Sequence, residues 1–308
     1  MLAAVLAAAV LGSGANPGSL DGFVQLVPAP RQADGQEPAA LPDVIVDGTL
    51  ATRVETFVKE VGAAPKRRFG ARWPDRVCPG VVNLDNTAAQ AVNDRIAELA
   101  GTLDIGVGQP GCDPNVVVIF TADGRSLAAE MVQRDRRLFS HPQLGTFNRG
   151  DAALLDFASS DAPVRWWHLS MPVDVVTRER AVRLSEDLRP VSATGAEGRL
   201  SNSVVDVLYK AIIIVDVTRL GDTAFEQVAD YIAMVAMAQI DPEAEIDGHH
   251  TILNVFRQPD VSPGLTEWDQ SYLEALYSSA SMRRNPGSRS SDIARLMTRD
   301  QRAEASDE

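Results

Sequence analysis

Two adjacent histidines, His249 and His250, are the side chains best suited to metal chemistry, because imidazole nitrogens are common ligands of divalent metals. Asp247 lies just before them and would add a carboxylate, with Asp241 or Glu243 as further acidic ligands. Side chains of adjacent residues seldom reach one ion, and the spacing is neither HxH nor HxxxH. The sequence favours the alternative, a pair of solvent-exposed loop histidines beside acidic residues.

The other residue types that carry catalysis form no recognisable pattern. The sequence contains no GxSxG or SxxK motif for a serine nucleophile, and no GxGxxG or P-loop motif for a phosphate. Carboxylates such as Asp206, Asp216 and Asp230 are plentiful, but no spacing selects a glycosidase pair. His141 and His168 are isolated, and we expect them to be hydrogen-bonded structural residues. We predict no catalytic residue, no cofactor site and no metal site; enzymatic activity stays open, and its absence is favoured.

Cys78 and Cys112 are the only cysteines, and each lies in a turn-rich segment beside Pro and Gly. An even cysteine count favours a disulfide in an exported chain, with two free thiols as the alternative. The enclosed loop of about 35 residues would add roughly 3 to 4 kcal/mol of stability by the chain-entropy argument. A zinc site is not expected, because two thiolates lack the second ligand pair that such sites use.

An apolar run at residues 2–11, followed by the small residues Ser13 and Ala15, is typical of a secretory signal peptide cleaved after Ala15. The run is shorter than the roughly 20 residues that span a bilayer, so we expect no stable membrane span. No basic residue precedes it, so either the true start codon lies upstream or the run is an uncleaved apolar tail. Residues 16–42 contain five prolines, as flexible linkers do. We predict a periplasmic or secreted protein.

The composition is that of a soluble globular protein, with 45% hydrophobic and 23% charged residues. The formal net charge of −13 argues against nucleic acid as a partner, because phosphate binding depends on clustered positive charge.

The elements that would position these residues follow from hydrophobic periodicity and turn signals. The first half is predicted to begin with a strand at residues 43–46 and a helix that ends at Gly62. A strand pair follows, and then a helix capped by Asp85 or Asn86. A buried strand and a third helix complete this half. The strand pair covers residues 68–73 and 77–84, and the buried strand covers 115–121. The third helix is expected at residues 126–139.

The second half is less regular up to residue 200 and strongly patterned after it. A strand at residues 164–171 would set Trp166 and His168 on one face, opposite Trp167, Leu169 and Met171. The tryptophans could line a ligand groove, but core packing is favoured. Residues 203–217 are predicted to form a hairpin or one long bent strand, and residues 223–240 a helix that is apolar nearly all round and hence buried. A last core helix is expected near residues 265–276.

Together these elements predict an α+β fold, a mixed β-sheet with packed helices, in one globular domain at residues 43–284. Residues 285–308 are predicted to be a charged tail, with some helix possible.

Three segments of the second half, residues 229–240, 251–256 and 268–277, resemble an uncharacterised family of exported proteobacterial proteins with a degenerate zinc-peptidase-like (zincin-like) core. The resemblance implies that residues 229–239 are a former active-site helix and that 251–256 is the segment after it. That helix contains no histidine, so the metal ligands of the HExxH motif are absent.

The resemblance implies a non-catalytic exported protein with a peptidase-like fold that binds another component of the cell envelope, an unknown protein or peptide. One alternative is an envelope hydrolase, a metal-dependent peptidase with a non-standard site at His249 or His250 and nearby carboxylates. Another is a structural envelope factor without a defined ligand.

Overall fold

The computed structural model describes residues 47–62, 70–140, 148–174, 177–181, 204–260, 262–278 and 286–307. The predicted signal peptide with its cleavage after Ala15, the linker at residues 16–42 and the strand at residues 43–46 lie outside these residues. His141 also lies outside them.

A four-stranded mixed sheet organises the fold. The strands of the described chain are β1 (Arg76–Val77), β2 (Pro79–Val82), β3 (Gly106–Val107), β4 (Val116–Thr121), β5 (Val164–Asp174) and β6 (Val204–Asp216). The sheet has the order β2-β4-β6-β5; β2, β4 and β6 are parallel, and β5 is antiparallel to β6 at one edge. The short strands β1 and β3 form a separate parallel pair.

Residues 203–217 are predicted to form either a hairpin or one long bent strand, and the structure has the long bent strand β6. Strand β6 pairs with β5 throughout, but the register shifts where Leu169 lies opposite Lys210 and Ser170 lies opposite Leu208. Tyr209 is therefore the extra residue of a bulge, which bends the strand. The continuous apolar run of β6 follows from its central position, because both faces of the strand are covered.

Helices cover both faces of the sheet. They are α1 (Asp47–Val61), α2 (Asn86–Thr102), α3 (Gly124–Arg134), α4 (Asp151–Ser159), α5 (Phe225–Met237), α6 (Glu267–Tyr277) and α7 (Pro286–Asp307). The larger core joins α1, α2, α5, α6 and α7 to one face, and the smaller core joins α3 and α4 to the other. The predicted α+β fold, a mixed sheet with packed helices in one domain, is confirmed. No helix in the described ranges has both the length and the apolar character needed to cross a bilayer.

Local capping explains where the helices begin. The carboxylate of Asp85 accepts hydrogen bonds from the amides of Thr87 and Ala88, which satisfies donors that the first turn of α2 leaves open. In α6 the side chains of Thr266 and Asp269 form a reciprocal capping box.

The predicted pairing of residues 68–73 with 77–84 is wrong for the part that the structure describes. Strand β2 pairs with β4, and Arg72 instead forms a bridge with Val207 of β6. The carbonyl of Cys78 accepts hydrogen bonds from the amides of Asn115 and Val116, which aligns β2 with the start of β4.

Two helices extend the predicted architecture. Helix α4 lies in the region that the sequence left irregular, and it buries Leu154 and Phe157 against the sheet. Helix α7 occupies the predicted charged tail and packs on α1 and α6. Its Ile293 and Met297 are fully buried, so this segment is part of the domain core.

Candidate functional site

Helix α5, the predicted former active-site helix, is buried from Gln227 to Met237. Its polar side chains bind neighbouring chain segments: Gln227 donates to the carbonyls of Pro259 and Ser262, and Asp230 accepts from the amide of Leu265. Just after the helix, the side chain of Gln239 accepts from the amide of Ala71. These contacts use the polar groups of the helix to hold surrounding segments in place.

The loop histidines do not meet Asp247. The ring of His249 lies between Phe57 and Trp268, with ring centroids 5.1 Å and 5.5 Å away, and burial lowers the pKa of this histidine. The carboxylate of Asp247 forms an ion pair of 2.6 Å with Arg257. Among the residues that the structure describes, no three His, Cys, Asp or Glu side chains are grouped as a metal site would require.

The sulfur atoms of Cys78 and Cys112 lie at disulfide-bonding distance, with the two Cα atoms 6.2 Å apart. The pair links the segment between β1 and β2 to the segment before β4. It therefore braces the first half of the sheet and lies away from helix α5.

The face alternation predicted for β5 is confirmed. Trp166 donates through its indole Nε1 to the carbonyl of Ile240, and His168 binds the carbonyl of Val235, both on the α5 side. Trp167 donates to the carbonyl of Phe139 on the opposite side. A carbonyl can only accept, so Nε2 of His168 carries the proton; burial lowers the pKa of this ring to about 4.

The described part of the chain places no strand beside the first half of the outer edge of β5. The amide of Asp216 donates to the carbonyl of Pro163, and the amide of Ala211 donates to Asn115 in front of β4. In an antiparallel pair the bonded and non-bonded positions alternate. The amides and carbonyls of Val164, Trp166 and His168 therefore point away from β6, and within the described chain none of them has a hydrogen-bond partner.

A groove of about 430 Å³ runs along this edge. One wall is α4, including Phe157, and the other is the segment at residues 240–257. Val164 and Trp166 line the groove between the two walls. Its volume falls within the usual range of ligand sites, about 300 to 1,000 Å³.

Aromatic side chains form much of the wall on the α5 side. The ring of Tyr231 lies 5.9 Å from that of Trp166 and 4.8 Å from that of Phe256, and all three residues line the groove. Burial raises the pKa of Tyr231, so its hydroxyl keeps its proton and can donate a hydrogen bond. That hydroxyl makes no hydrogen bond to any described residue. The wall thus combines apolar area with one polar group.

An ion pair closes the groove at the surface. Arg149, just before α4, lies 2.9 Å from Asp241 and 2.9 Å from Glu243, which belong to the opposite wall. All three side chains are partly or largely exposed, so the pairing contributes about 0 to 1 kcal/mol. An occupant could displace this strap at small cost.

Asp216, at the carboxyl end of β6, is well paired, whereas the nearby Arg165 is only partly paired. Asp216 accepts from the amide of Gly124 at the start of α3 and from Thr218, and it lies 3.6 Å from Arg219. Arg165 is buried against Gly124, and it lacks partners at Nε and Nη1 within the described structure. The carboxylate of Asp216 thus already binds the first amide of α3, where an anion would otherwise bind.

Sequence reasoning missed the groove although it named two of its residues, Trp166 and Trp167, as candidates for one. Their indoles are core groups, as the favoured interpretation had it, while the groove runs along the strand edge between them. A run of aromatic residues in a strand was the available signal.

Comparison of the chain with protein-family models, curated proteins and solved structures gave no match in any of the three.

Proposed function

We propose that this protein is an exported, non-catalytic binding protein that takes up an extended segment of another envelope protein along the outer edge of β5. The observation that carries the proposal is the row of amides and carbonyls at Val164, Trp166 and His168 that have no hydrogen-bond partner among the described residues. Val164 and Trp166 of this row line the aromatic groove. Buried backbone groups are paired in nearly all native structures, so such a row favours an added strand.

The far end of the β5 edge is covered by residues 179–181, so we place the site along the first half of the strand. Arg180 forms a bridge with Val173, and the amide of Ala181 donates to Pro172. The open part, residues 164–168, spans roughly 16 Å at the usual rise of a strand. We therefore expect a bound segment of about five residues.

The two walls set the expected preference of the peptide. Alternate side chains of an added strand point to opposite faces of the sheet. One set would face Phe157 of α4, and the other would face Tyr231 and Phe256. We expect peptides with apolar residues at alternate positions, since both walls are largely apolar.

A random peptide library displayed on phage tests this proposal. Peptides enriched on the wild-type protein are then measured against Val164→Pro, which removes one outward amide while leaving the inward ladder intact, since proline is tolerated at strand edges. Val164→Ala is the matched control, because it also shortens the side chain but keeps the amide. We expect the proline variant to lose about tenfold in affinity and the alanine variant to stay close to wild type.

Amide hydrogen exchange supplies a second readout. Bound peptide should slow exchange at Val164 and Trp166, which line the groove and whose amides point away from β6. Equal binding by the two Val164 variants, or an unchanged exchange rate at these amides, would show that the edge is not the binding site.

Export is the other part of the proposal, and the paired Cys78 and Cys112 support it, because structural disulfides persist mainly in oxidising compartments. Intact-mass analysis of the native protein should give a mature chain that begins at Asn16, with both cysteines oxidised. A chain that keeps residues 1–15 and carries two free thiols would contradict export.

A further inference from the structure

A second cavity, of about 260 Å³, lies at the far end of the sheet. It is bounded by residues 70–75, by the end of β5 and the start of β6, and by residues of α6 and α7. We call it the Arg72 cavity. It shares no lining residue with the groove.

The floor of the Arg72 cavity is apolar. Met171 lies directly opposite Val207, and Val173 lies directly opposite Val205, so the four side chains form one patch on the two-stranded part of the sheet. Leu276 of α6 adds to the apolar lining. Neither hydrophobic core contains these four residues; Met171 and Val173 are half-buried, and Val205 and Val207 are buried.

Arg72 is the charged group that distinguishes the cavity. Its guanidinium donates to the backbone carbonyl of Tyr277. The guanidinium carbon also lies 5.3 Å from the centroid of the Tyr277 ring. Burial lowers the pKa of Arg72, because desolvation disfavours its charged form. Within the described part of the chain, no carboxylate lies within ion-pair distance of this guanidinium.

The other charged groups at the cavity have partners of their own. Arg178 lies 3.5 Å from Asp75, and the carboxylate of Asp174 accepts from the amide of Thr177. A partly buried arginine without a carboxylate is costly unless an anion approaches it. The lining contains three aspartates and three arginines, Arg72 among them, so its formal charges cancel and give no net attraction for a multiply charged anion.

We propose that the Arg72 cavity binds a small monocarboxylate with an apolar tail. The carboxylate pairs with the guanidinium of Arg72, where a two-pronged hydrogen bond is available, and the tail lies on the patch of Met171, Val173, Val205 and Val207. A water molecule takes up about 30 Å³ in the liquid. By that measure the cavity volume of about 260 Å³ holds about eight or nine non-hydrogen atoms. This inference is independent of the peptide groove.

Titration calorimetry with hexanoate tests the proposal on the full chain. We expect a dissociation constant of about 1 mM or lower for the wild type. Arg72→Met should weaken hexanoate by about tenfold or more, and Arg72→Lys, which keeps the charge but loses the two-pronged hydrogen bond, should weaken it less than Arg72→Met. 1-Hexanol and hexylamine serve as probes of the same tail without the carboxylate, and both should bind more weakly than hexanoate.

A second variant decides the question if Arg72→Met does not fold. Val207→Phe fills the cavity from its floor and should abolish hexanoate binding, while Arg257→Met, on the groove, should leave it unchanged. Val164→Pro should also leave it unchanged, which separates this site from the proposed peptide function. Absence of hexanoate binding by the wild type, equal binding of hexanoate and 1-hexanol, or full binding by Val207→Phe would each overturn the assignment.

Discussion

Replacing His168 by glutamine should flatten the acid dependence of stability. In the folded protein the ring is buried against α5, and its Nε2–H donates to the carbonyl of Val235. Glutamine can keep a donor for that carbonyl but does not titrate near neutral pH. The variant therefore removes one titrating group while retaining a hydrogen bond.

The expected size follows from the pKa of His168, which burial lowers from 6.5 to about 4. Between these values the unfolded chain binds a proton that the folded protein does not, so stability falls as the pH falls. The stability is fully present above 6.5 and is lost progressively toward 4. Each pKa unit corresponds to about 1.4 kcal/mol, which gives a total of about 3 kcal/mol.

Urea denaturation at about pH 7.5 and about pH 4.5 measures the effect as the change in the free energy of unfolding between the two conditions. Carboxylates that titrate over this range contribute equally to both proteins and cancel in the comparison. The wild type should lose roughly 2 to 3 kcal/mol more than His168→Gln. If the two proteins lose the same amount, His168 is not held neutral by burial and the reasoning is refuted.

Three further sets of substitutions test other parts of the fold. Reduction of the Cys78–Cys112 pair, or its replacement by two serines, should cost roughly 3 to 4 kcal/mol in urea denaturation, and reductant should not affect the double variant. Gly108→Ala should destabilise the protein, because a Cβ at this position overlaps the Sγ of Cys112. Gly101→Ala has open space around it in α2 and should raise stability by about 0.5 to 1 kcal/mol. Equal melting temperatures for these two variants would contradict this reasoning. Asp269→Ala should lower the free energy of unfolding by about 3 kcal/mol or more, because the buried carboxylate accepts hydrogen bonds from Thr251, Ile252 and Thr266. Asp269→Asn should lower it by less. A loss below about 1 kcal/mol for the alanine variant would show that these donors find other partners.

The parts of the fold that the sequence predicted are those with strong local patterns. Helix α5 is apolar on every side, and burial on every side is what the structure shows. Strand β4 is a continuous β-branched run, and it lies inside the sheet between β2 and β6. In both cases the residue pattern directly reflects the number of covered faces.

The parts that could not be predicted depend on which distant segments meet. Pairing of β2 with β4 is fixed by contacts of Cys78 with residues more than thirty positions away, and local pattern cannot select such a partner. The groove needs β5 at the sheet edge, with walls from α4 and from residues 240–257. Arg72 shows no special feature in sequence; only the structure shows that no carboxylate of a described residue lies within ion-pair distance of it.

The packing of α7 on α1 has a consequence for the order in which the chain can fold. These helices are the last and the first that the structure describes, and together they seal the larger core. The contacts are separated by more than two hundred residues, so closing them carries the entropy of a very long loop. During synthesis the first helix has no complete core to join until residues near Met297 have been made. We expect the helical face to form late and cooperatively, and removal of α7 to leave Phe57 and its neighbours on an incomplete core.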